Sequence, residues 1–300
     1  MALELAINDK IITIETLTKQ TYENMSVIPI KTEFGMDVDI LNLNKGLDLG
    51  IVTISECEPS TVGEVLVKND AVNPLILLDG DEIIGANQNR IVNTSLLIPP
   101  HTTMKVSVSC TEKGRWEYTK GFEHSKYLAN SKTRVAKEYC NFHEENLQSV
   151  VWESIDELEN DLLVKSKTSA MSESYETFKN VHDDYIRHFP LENMQTGAVI
   201  IINGEIKGIE IMQTPSLYRQ YHEKILRSYI IDNDFDGDET DENGLETILN
   251  DISQSEFSEK TNDGLGDSLK VINEYGIGSV LLFENELIHF QYFKKPEITV

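Results

Sequence analysis

The sequence predicts an α+β protein, with a β-rich N-terminal half, a sandwich or partly open barrel, packed on an α+β C-terminal half. Three observations carry that reading. Up to about residue 130 the chain breaks into short β-branched or apolar runs divided by Gly, Pro, Asn and Asp. From about Ser131 helix formers take over, with apolar residues three and four apart. Two apolar runs joined by a turn recur three times, so strands flank the helices.

Taken in order, the runs Ile11 to Thr16, Met25 to Ile30, Gly50 to Cys57, Val62 to Lys68, Leu75 to Leu78 and Thr103 to Cys110 read as strands. Met104 to Ser109 alternates strictly and predicts one buried and one wet face. Leu41, Leu43, Leu47 and Leu49 suit a short helix or irregular cover, weakened by Gly46. Beyond Ser131, one helix runs from Ser149 to about Leu163, and a second carries Tyr175, Phe178, Val181, Tyr185, Ile186 and Phe189 until Pro190 stops it. A third begins at Thr214 with Pro215 at its first position. The hairpins are expected at Leu75 to Ile84, Val199 to Gly208 and Val280 to His289, the first two turning on Asp79-Gly80 and Asn203-Gly204.

At 300 residues the chain is long for one core, and two units are expected: 1–130, β-rich, and 131–300, α+β. One continuous unit is the alternative. The second half carries an acidic insertion over 232–266, read as mobile, with one weak helix around Leu245 to Ile252. With 51 acidic against 26 basic residues the formal charge is −25, which repels phosphate backbones and argues against nucleic-acid binding. A small anionic ligand is still compatible, because one pocket can hold an Arg whatever the net charge. No apolar stretch approaches the roughly 20 residues needed to span a bilayer, so no membrane association is expected. Cys57, Cys110 and Cys140 are odd in number and far apart, as reduced thiols in the cytoplasm would be.

Metal signatures fail on inspection. Asp232, Asp234, Asp236 and Gly237 fill the first, third, fifth and sixth places of a calcium loop, but Asn243 stands where a bidentate Glu belongs. His143-Glu144-Glu145-Asn146-Leu147 opens like a zincin helix and puts Leu at the second ligand. We assign no metal and no cofactor.

The densest polar constellation runs from Asp79 to Thr94. Here Arg90 could grip a phosphate or carboxylate through its planar fork, and Gln88, Asn89 and Asn93 could read ribose hydroxyls or base edges. Glu82 or Asp81 could act as a general base. Loops are in any case built of Asn, Asp and Gly, and Arg90 with Glu82 could equally close a structural ion pair. A second cluster, Ser109 to Trp116, offers Arg115 and Trp116 for stacking a base, or Trp116 as a lid on the core. Cys110 reads as a buried small hydrophobe rather than a nucleophile.

In the same order along the chain, Thr21 to Ile30, Leu77 to Arg90, Asn93-Thr94 and Cys110 with Gly114-Arg115-Trp116 resemble a prokaryotic domain family of unknown function. It is the ADP-ribosylglycohydrolase and rhodanese-phosphatase superfamily associated protein domain. The likeness reaches more weakly to Gly197 and to the Gly276 to Phe290 ending. It implies a role near NAD or ADP-ribose metabolism through gene association, and no reaction. The expectation is therefore a nucleotide or ADP-ribose-like anion bound near the Gln88-Asn89-Arg90 loop, with processing left open. The alternative is a non-catalytic protein-interaction module with an acidic surface.

Overall fold

In the computed structural model, residues 2–8, 10–33, 39–59, 61–143, 146–235, 237 and 244–295 are described, without the side chains of 141–143. The fold is β-rich α+β, 27% helix and 40% strand, with curled antiparallel sheets. Two compact units share the chain: Met1–Asp37, Asp183–Asn262 and Gly266–Val300 form one, and Val38–His182 with Asp263–Leu265 the other. The division falls near residues 37 and 182 rather than near 130. Composition marks where helices begin, whereas the unit boundary is set by which strands pair.

In the first unit, strands from both ends of the chain enter one ten-stranded sheet. Ala2–Ile7, Lys10–Thr16 and Met25–Thr32 form a meander at one side. Gly197–Ile202 continues it by pairing with Met25–Thr32 from Gly197 opposite Ile30 to Ile202 opposite Met25. Glu205–Met212, Glu286–Lys294, Gly276–Phe283, Asp267–Ile272 and Phe257–Lys260 follow in space, all antiparallel. Because side chains alternate across a strand, one face gathers Val199, Ile201, Ile209, Ile211, Phe290 and Tyr292 into an apolar core. The helix Leu245–Gln254 adds Leu249 and Ile252 to that core.

Glu210, Gln291 and Ser279 stand side by side on the other face, Glu210 accepting a hydrogen bond from Tyr229 at 3.0 Å. Tyr229 belongs to the helix Pro215–Ile230, which starts where expected, with the Thr214 hydroxyl capping Leu217 N–H. Gly208 lets that helix sit close, since a Cβ there would overlap the Tyr229 hydroxyl. The helix expected around Leu245 to Ile252 spans Leu245–Gln254, and the strand Phe257–Lys260, not expected within the acidic insertion, is built into this unit with it. Most of the calcium-like loop, Asp236, Glu239 and Asn243 included, and Glu144-Glu145 of the zincin-like motif lie outside the described residues.

In the second unit a six-stranded sheet runs Glu123–Leu128, Asp81–Ile84, Arg90–Val92, Thr102–Cys110, Glu64–Asn69, Val52–Glu56. It shares a core with a three-stranded sheet of Leu96–Ile98, Leu75–Leu77 and Leu41–Asn42, through Val65, Val67, Val106 and Val108 on one side and Leu75, Leu77 and Ile98 on the other. The short helix expected near Leu43 spans Leu43–Asp48. Two expectations fail here. Leu75–Leu77 and Asp81–Ile84 belong to different sheets, so the Asp79-Gly80 turn carries the chain between layers and closes no hairpin. The other two hairpins form, with Asn203, Gly204, Glu284 and Asn285 at positive φ. The helix expected from Tyr175 to Phe189 is two, Met171–Thr177 and Lys179–His188, interrupted at Phe178, whose ψ of 12° leaves the helical region.

Glu205 of the first unit accepts from Lys207 at 2.7 Å and pairs with Lys294 at 2.8 Å, and these bonds hold its carboxyl at about 2 against an ordinary 4.5. A depressed carboxylate adds stability that is complete above pH 4.5 and is lost as pH falls towards 2. The side chain is 44% exposed, so the effect stays below about 1 kcal/mol. Urea unfolding of wild type and Glu205→Gln at pH 6 and pH 3 should show a gap between the proteins at pH 6 that narrows at pH 3.

Candidate functional site

The strand Arg90–Val92 organises the polar residues that the sequence singles out, all of which lie in the second unit. Arg90 stands opposite Ile83 on one neighbour and Cys110 on the other, while Ile91 stands opposite Glu82 and Ser109. Directly opposed residues share a face of the sheet, and successive residues alternate. Arg90 and Cys110 therefore occupy one face and Glu82 the other. Among the described residues no ion pair joins Glu82 and Arg90.

On its face Arg90 is fully buried. Its Nη1 donates to Gln88 Oε1 at 2.9 Å and lies against Cys110 Sγ, and its Nη2 meets Glu56 Oε2 at 3.4 Å. Its Nε has no hydrogen-bond partner among the described residues. The Trp116 ring centroid sits 5.6 Å from the guanidinium carbon, a cation–π arrangement, and Trp116 is 53% exposed. Trp116 therefore does not serve as a buried lid. Burial pushes the Cys110 thiol up to about 11, outweighing the pull of Arg90, so at neutral pH it is an unreactive thiol. Its backbone is held by Gln148, which accepts from Cys110 N–H at 2.8 Å and donates to its carbonyl at 3.1 Å.

Arg115 plays a different part from the one its neighbours suggest. All five of its N–H donors have acceptors: Glu112 Oε2 at 2.8 Å, the carbonyls of Ala86, Glu117 and Gly85 at 2.8, 2.9 and 3.3 Å, and Asn89 Oδ1 at 3.2 Å. Asn89 also accepts from Gly85 N–H at 3.0 Å, and Gly85 and Ala86 both take positive φ, so the loop from Gly85 to Asn89 is wrapped around one guanidinium. Burial alone would raise the Glu112 carboxyl, but bonds from Arg115 and Thr168 prevail and hold it below its usual range. Arg115 and Asn89 thus shape the loop and are spent doing so. Gln88 likewise donates to the Glu112 carbonyl at 3.0 Å.

Glu82, on the opposite face, accepts from Ser125 at 2.7 Å and from Thr111 at 3.4 Å, and Asn93 bonds Ser107 and Ser109 at 2.9 and 2.8 Å. Asp81 accepts Leu78 N–H at 3.3 Å within its own turn. All three residues are buried.

The sequence reading missed a buried charge cluster beside them. The helix Ser131–His143 buries Arg134 and Lys137 completely, and Lys137 donates to Asp79 Oδ1 at 2.6 Å and to the Val92 carbonyl at 2.8 Å. Arg134 Nε lies 3.6 Å from Asp79 Oδ2. Burial drives the Lys137 amine below its usual range, with Asp79 opposing. Nothing in the sequence flags these cations, because Arg and Lys three apart on a helix ordinarily lie on a solvated face. Removing the Lys137 amine takes the 2.6 Å partner from a buried carboxylate that Arg134 still faces at 3.6 Å, and breaking a buried pair costs about 3–5 kcal/mol. Lys137→Met should therefore lower the urea midpoint strongly, and Lys137→Arg, which keeps a cation at that position, should lower it less.

Among the described residues no group of three or more His, Cys, Asp or Glu side chains is placed to hold a metal ion, and no helix is long and apolar enough to cross a membrane. No curated protein and no solved structure matches the chain. The family description headed ARG and Rhodanese-Phosphatase-superfamily-associated Protein domain matches residues 13–293, which takes in both units and the whole Arg90 strand. The chain is a member of that family.

Proposed function

We propose that this protein binds a nucleotide or ADP-ribose-like anion beside the Gln88-Asn89-Arg90 loop, with Trp116 as the stacking surface. The observation that carries the reading is the half-exposed indole lying over a fully buried guanidinium whose Nε is unpartnered among the described residues. An aromatic ring with one open face accepts a base, and a cation behind it favours a ligand that also bears negative charge.

The surrounding segment adds support. The segment from Lys113 to Lys120 exposes a second aromatic, Tyr118. The association with ADP-ribose-processing enzymes recorded in the family's name points to the same ligand class. Glu82 and Asp81 are fully buried, and Glu82 faces away from Arg90, so the reading is one of binding and includes no hydrolytic step. It places the protein in the cytoplasm, where its three buried cysteines stay reduced.

Titration of the purified protein with ADP-ribose, NAD and mononucleotides should quench tryptophan emission to saturation, and Trp116→Leu, which retains Trp152, should lose that response. Ligand at a hundredfold excess over its dissociation constant should add about 2.7 kcal/mol to stability. Absence of both quenching and a melting shift across the panel would move the assignment to a protein-interaction module, whose partner would meet the same exposed aromatics.

A further inference from the structure

The buried guanidinium of Arg90 is countered in an unusual way. Among the described residues, Glu56 supplies its carboxylate partner, through one oxygen and at 3.4 Å. A good charge-assisted bond is about 2.7–2.9 Å, and Arg with carboxylate typically forms two in parallel. The other contacts of Arg90 are neutral: the Gln88 amide and the Cys110 thiol, which stays protonated at neutral pH. The second oxygen of Glu56 accepts Asn87 N–H at 3.3 Å, which ties this carboxylate to the loop that carries Gln88, Asn89 and Arg90. Glu56 ends the strand Val52–Glu56, and its side chain retains 15% exposure while Arg90 has none. The contact is thus loose, single and reachable from solvent on the carboxylate side.

Resting on the ligand reading above, we infer that Glu56 is a placeholder: its carboxylate occupies the seat on Arg90 that the anionic group of the ligand takes, and it leaves that seat on binding. The exchange keeps the buried cation neutralised in both states, which is the condition for burying it at all. It also makes affinity a competition. Each incoming anion must displace a like charge tethered a few ångströms away, so Glu56 holds affinity down and favours ligands that present a bidentate phosphate or carboxylate over those with a single weak acceptor. Trp116, over the same guanidinium, supplies the aromatic half of the selection.

The test compares wild type, Glu56→Gln and Glu56→Asp by calorimetric titration with ADP-ribose, inorganic phosphate and the uncharged nucleoside adenosine. Glu56→Gln should bind both anions at least about tenfold more tightly, equivalent to about 1.4 kcal/mol of relieved competition, with adenosine unchanged. Its melting temperature should fall in anion-free buffer and recover on adding phosphate, a rescue that a merely structural ion pair would not give. Glu56→Asp, which keeps the charge on a shorter arm, should lie between the other two and serves if Glu56→Gln does not fold. Anion binding by wild type that is equal or weaker in both variants overturns the placeholder and leaves the ligand site standing. Absence of binding in all three proteins removes the ligand reading and the placeholder together.

Discussion

The pairing of Met25–Thr32 with Gly197–Ile202 is the interaction on which the architecture rests. It joins strands separated by the Val38–His182 stretch of the second unit, and through it the N-terminal meander and the C-terminal strands become one sheet with one apolar core. Without that ladder each part would present a row of unpaired backbone groups and half a core. The residues involved favour it: Ile28, Ile30, Val199 and Ile201 supply β-branched side chains, and Thr32 bonds Thr196 just past the last pair at 2.9 Å.

The second unit solves a different problem, the burial of full charges. Arg90, Arg134 and Lys137 have no solvent exposure, and each is compensated within reach of a carboxylate. The quality of compensation differs. Lys137 has a 2.6 Å partner and a backbone carbonyl, which fixes the helix Ser131–His143 on the Asp79-Gly80 turn. Arg115, mostly buried, fills every donor and fixes the loop. Arg90 has an Nε with no hydrogen-bond partner among the described residues and a 3.4 Å contact to its counter-charge. In a low-dielectric setting a cation so loosely compensated gains from an incoming anion.

How much of this is legible in the sequence depends on how local its cause is. The strands Lys10–Thr16, Met25–Thr32, Glu64–Asn69 and Thr102–Cys110 follow from β-branched alternation, and the helix at Thr214 follows from its cap and Pro215. The Asn203-Gly204 hairpin is equally local. Asp79-Gly80 carries the same signal and yields no hairpin, because Gly80 N–H is taken by the Val92 carbonyl and its carbonyl by Ala129 N–H. Those partners are remote in sequence. The segment from Gln88 to Trp116 is recognisable as polar and crowded, but which arginine closes a loop and which meets a weak carboxylate depends on sheet register. Glu56 could not be connected to Arg90 without knowing the order of the four strands from Arg90–Val92 to Val52–Glu56.

Nesting one unit within the other has a consequence for synthesis on the ribosome. The strand Met25–Thr32 is made early, yet its partner Gly197–Ile202 emerges only after the intervening unit has been translated. At about 5–20 residues per second that is a delay of roughly ten to thirty seconds. During that time Lys10–Thr16 and Gln20–Tyr22 can pair with different stretches of the waiting strand, and the Val38–His182 stretch has time to collapse on its own core. The nascent chain thus carries an open sheet edge until Gly197–Ile202 emerges, and a chaperone that covers exposed strands would find its substrate there.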